Sequence, residues 1–318
     1  MPQEGMRLEG GEVDGCVHAV RIAAMIRYEG TLYRPPSEAE SLILQATIGC
    51  SFNECAFCGM YRDKRFRVRP LPEVLAEIAW ARDQLGADDV RKVFLADGDA
   101  LVAKASFLKG ILAALRAAFP NLRRVSCYAS PQSLAVRSVE EMRDLREAGL
   151  ALYYLGVESG HDTVLERLVK GVDAAEMVRV AGKATEAGVA LSTMILLGAG
   201  GRALSRAHAE ASAEVINAIR PRFVSTLVMT PVEGTPLWEQ DARGEHDHME
   251  PLELAAELRT FLAGLELQGA IFRSNHASNY LALSGTLPKD QPALLAALDE
   301  LLRHPSRARF RPERLRGL

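Results

Sequence analysis

The sequence predicts an α/β protein built on a parallel sheet. Between residues 41 and 235, six short apolar runs typical of strands alternate with segments whose apolar residues recur at helical spacing. Each parallel neighbour requires a crossover connection, so six strand–helix units in succession indicate parallel pairing. Such repeats fit either a doubly wound sheet or an incomplete βα barrel, and both folds collect functional side chains at the carboxyl ends of the strands.

The elements follow in order along the chain. The predicted strands are the apolar runs 42–48, 92–97, 124–129, 151–157, 189–197 and 223–229. Pro72 begins a first helix that ends at Gly86, and apolar residues between 107 and 115 form one face of a second helix before Pro120. Ser138, with a glutamate three residues on, gives the capping-box pattern that starts a third helix.

The chain divides into three parts. These are an N-terminal extension over residues 1–40, the repeating α/β domain over 41–235 and a C-terminal extension over 236–318. The first part is expected to be an extended lead-in. In the last part, 250–265 and 292–302 have the apolar spacing of flanking amphipathic helices, and 303–318 is expected to be an exposed basic end.

Composition excludes several classes of protein. At 318 residues, with 48% hydrophobic and 25% charged residues, the chain can bury a full core. A formal net charge of −3 gives no broad attraction for nucleic acid, although 62-RDKRFRVR-69 is locally basic, so we do not expect a nucleic-acid partner. No apolar run approaches the roughly 18 residues of a membrane span, and the N-terminal residues lack a secretion signal. We therefore expect a cytoplasmic protein without membrane contact.

Three of the five cysteines lie within nine residues, spaced C-x4-C-x2-C directly after the first predicted strand: Cys50, Cys55 and Cys58. In a cytosolic chain this grouping indicates a metal site or catalysis and not a disulfide framework. A structural zinc site normally has four protein ligands, and His161 is only a distant candidate for the fourth. Three close thiolates with an open coordination position favour a [4Fe-4S] cluster over zinc or free thiols. Cys16 and Cys127 are predicted to be small buried residues.

The cysteine motif resembles that of the radical S-adenosylmethionine (SAM) enzymes. Those proteins usually carry C-x3-C-x-aromatic-C on the loop after the first strand of a partial (βα)6 barrel. This chain matches the motif, with one extra residue between the first two cysteines, at Cys50, Cys55, Phe57 and Cys58. The resemblance therefore implies an α/β fold with a partial (βα)6 TIM-like barrel, preceded by the lead-in and followed by a helical extension.

Three later stretches extend the resemblance across most of the chain. The segment 95-LADGDAL-101 is similar to the family's segment that binds the amino group of SAM. The stretch 155-LGVESGHDTVLERLVKG-171 resembles the coproporphyrinogen-oxidase-like and methylthiotransferase-like branches, and 195-ILLGAGG-201 is similar to the family's glycine turn beside the adenine. Residues 272–291 look like the tail of an uncharacterised subgroup of these proteins.

The resemblance implies an activity and its partners. The protein would bind a [4Fe-4S] cluster, cleave SAM reductively to methionine and a 5′-deoxyadenosyl radical, and act on a small substrate. It would need an external electron donor such as flavodoxin or ferredoxin. Two alternatives stay open, namely a non-catalytic iron–sulfur electron carrier or sensor, and a radical SAM enzyme that modifies RNA.

The residues implied to bind SAM lie on the matching loops: Phe57, Asp97, Gly98, Asp99, Glu158, Ser159 and Gly198. Asp97 and Asp99 could accept hydrogen bonds from the SAM ammonium, or could form a turn with local bonds. Glu158 ends a very apolar strand, where a carboxylate is costly unless it binds a ligand such as the ribose or bonds to backbone amides. Gly198 could let the backbone approach adenine, and Phe57 could lie against adenine or shield the irons.

The segment 273-RSNHASNY-280 is too polar for a core strand and is predicted to serve the substrate. Arg273, Asn275 and Asn279 are the candidate substrate contacts. His276 and Tyr280 are the candidate groups for proton transfer, because histidine titrates near neutral pH and a tyrosine hydroxyl can donate a proton. The alternative is a capped loop whose side chains bond the local backbone.

Overall fold

An eight-stranded sheet organises the part of the chain that the computed structural model describes, residues 26–317. Its strands, in order across the sheet, are β1 (Leu42–Gln45), β4 (Lys92–Ala96), β5 (Arg124–Ala129), β6 (Leu150–Glu158), β7 (Ala190–Leu197), β8 (Phe223–Val228), β9 (Ile271–Ser274) and β10 (Leu283–Thr286). Neighbours are parallel, except that β10 is antiparallel to β9. The six predicted strands and the mostly parallel α/β fold are confirmed.

A two-stranded ribbon and ten helices complete the described fold. The ribbon pairs β2 (Thr47–Ile48) with β3 (Arg67–Val68). The helices are α1 (Leu71–Leu85), α2 (Ala105–Ala118), α3 (Pro131–Val136), α4 (Val139–Glu147), α5 (Asp162–Arg167), α6 (Ala174–Glu186), α7 (Gly201–Ile219), α8 (Pro236–Ala242), α9 (Pro251–Ala263) and α10 (Gln291–Arg303). None of these helices is both long and apolar enough to cross a membrane.

Local sequence signals account for the helix boundaries. Helix α1 has a proline in its first turn and ends before Gly86, as predicted. The capping box predicted at the start of α4 is present: Ser138 Oγ accepts from the Glu141 amide over 3.1 Å, and Glu141 Oε2 accepts from the Ser138 amide over 3.3 Å. Each bond satisfies an amide that the helix start leaves without an internal partner.

The two faces of the sheet pack against different partners. On β6, Tyr153 and Leu155 belong to the large apolar core that the helices share. Leu152 and Tyr154, which alternate with them, pack with Phe94 in a second cluster. Successive side chains of a strand point to opposite faces, so these clusters define two surfaces. The helix-covered surface is called the outer face below, and the other the inner face.

The turn Pro36–Glu38, ahead of β1, closes one end of the inner face. Glu38 is fully buried and accepts hydrogen bonds from Arg124 over 2.6 Å and Tyr154 over 2.5 Å. Arg124 is the first residue of β5, so this ion pair lies where the strands begin. A buried carboxylate is stable only with such partners. This turn therefore closes the amino end of the inner face and leaves the carboxyl ends for a site.

The sheet continues past residue 235. Helix α9 crosses over to β9, which pairs in parallel with β8. The prediction that 273–280 is too polar for a core strand is wrong for Arg273 and Ser274, which belong to β9. Only one face of this strand is covered: Phe272 and Ser274 are buried while Arg273 is exposed, and such alternation admits polar residues. The two amphipathic helices predicted in this part are confirmed as α9 and α10.

Candidate functional site

The predicted thiols lie on the loop between β2 and β3, residues 49–66, called the cysteine loop below. Cys50, Cys55 and Cys58 are half-buried and form no disulfide with one another or with Cys127, the other cysteine within residues 26–317. Burial raises the pKa of Cys50 and Cys58, and raises that of Cys55 to about 11. Cys127 is fully buried as predicted, whereas Cys16 lies outside the described residues.

Three thiols on one loop suit a cuboidal cluster, because such a cluster holds each thiolate on a different iron. Cys50, Cys55 and Cys58 could hold three irons of a [4Fe-4S] cluster in this way.

The residue inserted in the cysteine motif is accommodated by a left-handed turn. Asn53 has φ 48°, and its Nδ2 donates to the Tyr61 carbonyl over 2.9 Å. Asparagine tolerates this conformation better than most residues. Arg62, a residue of the same loop, donates to the carbonyls of Cys55 over 2.8 Å and Cys58 over 2.9 Å. These contacts hold a four-residue gap in one conformation.

Gly98 lets the loop after β4 press against the cysteine loop. A Cβ at this position would lie 2.6 Å from Tyr61 Cε2 and 2.9 Å from Cys50 Cβ. The Gly98 amide also donates to the Gly49 carbonyl over 3.1 Å. Only a residue without a side chain fits such an approach. The predicted site residue Gly98 therefore lies directly behind Cys50.

Asp97 is fully engaged inside the fold. Its carboxylate is buried and accepts from Lys64 Nζ over 3.0 Å, from Gln45 Nε2 over 3.2 Å and from the Gly49 amide over 3.1 Å. Both oxygens thus have internal partners, and the predicted role of Asp97 as an acceptor for the SAM ammonium stays a prediction. Asp97 anchors the start of the cysteine loop.

Asp99 keeps one oxygen without a partner. Its Oδ2 accepts from Ser51 Oγ over 2.6 Å and from Ser130 Oγ over 2.7 Å, which ties the cysteine loop to the start of α3. Its Oδ1 is buried and has no hydrogen-bond partner within the described chain. Burial raises the pKa of this carboxyl group. Asp99 thus presents a spare acceptor beside the cysteine loop.

Glu158 ends β6 and forms an ion pair that the sequence did not predict. It has φ 68°, and its Oε1 accepts from Lys170 Nζ over 3.1 Å. Burial lowers the pKa of Lys170, but Glu158 and then the Cys55 thiol raise it by more, so the net shift is upward. Lys170 stands in the stretch 155–171 that resembles the family, and this resemblance was the available signal. The pair brings a buried ammonium group next to the thiols.

Ser159 and Gly198, both predicted to bind SAM, have internal partners. Ser159 Oγ bonds to His208 Nδ1 over 2.8 Å, and the Gly198 amide donates to Glu257 Oε1 over 2.7 Å. Burial raises the pKa of Glu257 to about 7 and lowers that of His208 to about 4. Both predicted residues thus shape the turns after β6 and β7. Glu257 was missed, although its place between Leu254 and Leu258 on the apolar side of an amphipathic helix was a signal.

Phe57, on the cysteine loop, packs against residues at the end of β7. It packs against a buried apolar cluster that includes Leu168, Leu196 and Ala199. The ring is half-buried, so part of it stays accessible beside Cys58. Contact with adenine or shielding of the irons remains a prediction for this residue. His161 directly precedes α5, and its buried Nδ1 has no partner among residues 26–317.

The polar segment 273–280 separates into exposed and buried residues. Arg273 and Asn275 are exposed. Asn279 is buried, donates from Nδ2 to the Thr226 carbonyl over 2.7 Å and accepts from the Val228 amide over 2.8 Å. Its amide therefore joins this segment to β8 and has no free group for the predicted substrate contact.

His276 and Tyr280 are held by the C-terminal residues. His276 Nδ1 accepts from the Ser278 amide over 3.1 Å, and burial followed by Arg311 lowers its pKa. The Tyr280 hydroxyl donates to Glu313 over 2.9 Å and accepts from Arg316 over 2.6 Å, and burial raises its pKa. Both bonds engage the Tyr280 hydroxyl within the chain, and its part in proton transfer stays a prediction. The expected exposed basic end is wrong for Arg311 and Arg316, which pack on this segment.

The fold and the thiol-bearing loop after the first strand define an α/β iron–sulfur protein. The sequence model of the radical SAM superfamily matches residues 44–202, half of the chain, so the chain belongs to that superfamily. It is an enzyme of the radical SAM class, and the cofactors of the family are a [4Fe-4S] cluster and SAM. A comparison with curated proteins finds no significant match.

Solved structures share the fold at low sequence identity. Methylornithine synthase (PylB) is 17% identical, with a TM-score of 0.52 over 92% of this chain and 77% of the synthase. Coproporphyrinogen III oxidase (HemN) from Escherichia coli is 16% identical, with a TM-score of 0.52 over 77% of this chain and 55% of the oxidase. The radical SAM methyltransferase TsrM from Kitasatospora setae is 18% identical, with a TM-score of 0.50 over 84% of this chain and 53% of that protein.

Proposed function

We propose that this protein holds a [4Fe-4S] cluster on Cys50, Cys55 and Cys58, cleaves SAM reductively and acts on a small substrate. When bound, the cluster and SAM supply a 5′-deoxyadenosyl radical, which is the difficult chemistry, and the protein supplies binding and orientation. The observation that carries the proposal is the set of three separate thiols on one loop at the carboxyl ends of the strands. Membership in the radical SAM superfamily supports it.

The groups around the thiols fit the two cofactors. Lys170 places positive charge beside three thiolates, and opposite charge nearby favours the charged form of a thiol. Asp99 Oδ1 offers an acceptor that residues 26–317 leave unused, as a ligand with an ammonium group requires. Glu158 has a second carboxylate oxygen, Oε2, beyond the Oε1 that bonds Lys170. Asp99, Glu158 and Lys170 are therefore the groups we propose to contact SAM.

Anaerobic reconstitution followed by reduction tests the proposal. Wild-type protein should hold about four irons per chain, and dithionite with SAM should give methionine and 5′-deoxyadenosine. Single alanine variants of Cys50, Cys55 and Cys58 should lose iron and product together, while Cys127→Ala, at a buried site on β5, should keep both. A full iron content in the Cys50 variant would contradict the assignment of Cys50 as a ligand of the cluster. Cluster without product would favour the electron carrier or sensor.

The basic run 62–69 gives little support to the RNA-modifying alternative. Lys64 pairs with Asp97, Arg67 with Glu29 and Arg69 with Glu77. Arg62 bonds to the cysteine loop. Most of the charge is thus used within the chain, and phosphate binding needs cations that are free to meet it. The external donor, flavodoxin or ferredoxin, and the cytoplasmic location stay predictions within this proposal.

A further inference from the structure

Three buried carboxylates at the ends of the inner face are each matched by a cation of the same chain. Glu38 pairs with Arg124 over 2.6 Å at the amino ends of the strands. Asp97 pairs with Lys64 over 3.0 Å, and Glu158 with Lys170 over 3.1 Å, at the carboxyl ends. The three pairs differ in position, but each leaves no net charge. Ion pairs within a protein interior need this compensation.

Arg273 is a cation on the same face that has no carboxylate partner within residues 26–317. It alternates on β9 with Phe272 and Ser274, which are buried against the outer face, so its side chain lies on the inner face. It is exposed, and within residues 26–317 no carboxylate oxygen lies within 4.0 Å of its guanidinium group. Asn275, directly after β9, is also exposed.

Hydroxyl groups flank Arg273 on both sides. The sheet register pairs Ser225 of β8 with Arg273, and it pairs Ser284 of β10 with the same residue. Residues paired across neighbouring strands project to one face, so the three side chains form a row. Ser225 is half-exposed and Ser284 exposed. Ser225 Oγ already donates to the Thr193 carbonyl over 3.1 Å, so the donors this row presents are the Arg273 guanidinium and the Ser284 hydroxyl.

The same register connects this row to the cofactor groups. Ser225 pairs with Met194 of β7, and Met194 pairs with Gly156 of β6. A Cβ at Gly156 would lie 3.1 Å from Lys170 Nζ, so that ammonium group stands over the same face. The row therefore leads from the proposed SAM contacts to Arg273 across β7 and β8.

We infer that Arg273, with the neighbouring Ser284 hydroxyl, forms a subsite for an anionic group of the substrate, a carboxylate or a phosphate. Arginine offers a planar fork that binds either group through two parallel hydrogen bonds. The inference rests on the proposed function, because it takes the inner face as the place where the substrate meets the cofactors. It narrows the substrate to small molecules that carry an acidic group.

Two anions of different chemistry test the subsite on the reconstituted full chain. Inorganic phosphate, followed by phosphorus NMR, and acetate, followed by saturation-transfer proton NMR, are titrated in chloride-free buffer. Wild-type protein should bind one of them saturably, and the preferred anion identifies a phosphate or a carboxylate. Arg273→Gln should weaken that binding about tenfold or more, whereas Arg273→Lys, which keeps the charge, should weaken it less.

A matched control and a parallel assay separate the possible failures. Arg143→Gln removes an exposed arginine from α4 and should bind the anion as the wild type does. Equal binding by wild type and Arg273→Gln, or saturable binding of neither anion by wild type, overturns the inference. If wild type binds neither anion yet still forms 5′-deoxyadenosine, the proposed function stands and only the subsite fails. If that product is absent too, the proposed function fails with it.

Discussion

The Gly198 amide donates to Glu257 Oε1 over 2.7 Å, which joins the turn after β7 to helix α9. Glu257 Oε2 also accepts from Ser205 Oγ over 2.5 Å, so one buried carboxylate fixes both the turn and the start of α7. The segment after residue 235 supports a turn of the proposed cofactor site.

Glu257 should make stability depend on pH. Burial raises its pKa from 4.5 to about 7, so the folded state binds a proton more tightly than the unfolded state does. The contribution of Glu257 to the free energy of unfolding therefore falls as pH rises from 4.5 through 7, by roughly 3 kcal/mol in total. Glu257→Gln keeps an acceptor for Gly198 and removes the charge. Relative to wild type, this variant should gain stability across that pH range.

Urea unfolding at several pH values measures the difference between the two proteins. His208 is buried beside this carboxylate, with its Nε2 3.7 Å from Glu257 Oε1; burial lowers its pKa to about 4, so its own contribution to the free energy of unfolding changes with pH in the opposite direction. Glu210→Gln on the exposed side of α7 is the control and should follow the wild type. If the free energies of unfolding of Glu257→Gln and wild type differ by a constant amount from pH 4.5 to 8, the raised pKa of Glu257 is contradicted.

Gly98→Ala should impair cluster assembly. The new methyl group would overlap the Tyr61 ring and the Cys50 side chain, and overpacking of this kind costs about 1–3 kcal/mol. The strain acts on the cysteine loop itself, so iron content after reconstitution should fall. Gly182→Ala, in α6, meets nothing within 4 Å and should raise helix stability by up to about 1 kcal/mol with normal iron content. Normal iron in Gly98→Ala would show that the loops can separate.

Glu158→Gln should weaken SAM binding while the cluster remains. The variant loses a charged acceptor, and hydrogen bonds to charged groups are worth about 1.5–3 kcal/mol. Calorimetric titration of SAM into reconstituted protein measures the change, and iron content is checked on the same sample. Glu166→Gln, on the exposed side of α5, is the matched control. Unchanged affinity in the Glu158 variant would limit this residue to its bond with Lys170.

Arg311 should control the order of segment 276–280. Its Nη1 donates to the carbonyls of His276 over 2.8 Å and Asn279 over 3.0 Å. Arg311→Gln loses this fork, so amide hydrogen exchange within the segment should become faster while the strands keep their protection. Arg314→Gln removes an exposed neighbour and should leave exchange unchanged. Equal protection in both variants would mean that Asn279 and Ser278 hold the segment without the C-terminal residues.

The elements of the fold were readable from the sequence because their signals are local. Six strands, the capping box at Ser138 and the helices α9 and α10 follow from apolar periodicity and from residues three or four positions apart. The cysteine loop was placed correctly for the same reason, since it directly follows a strand. A seventh parallel strand was missed because β9 is short and only one of its faces is buried.

Tertiary structure decided which polar residues remain available to ligands. Asp97 and Asp99 stand two residues apart in the same motif, yet one is saturated by Lys64 and Gln45 while the other keeps a spare oxygen. The partners come from other strands and loops, so they cannot be predicted from the spacing of residues in the motif. The sequence by itself determined the chemistry, through three cysteines and their position after a strand. The folded chain decided which carboxylates are neutralised internally, because burial requires each charge to find a partner in space.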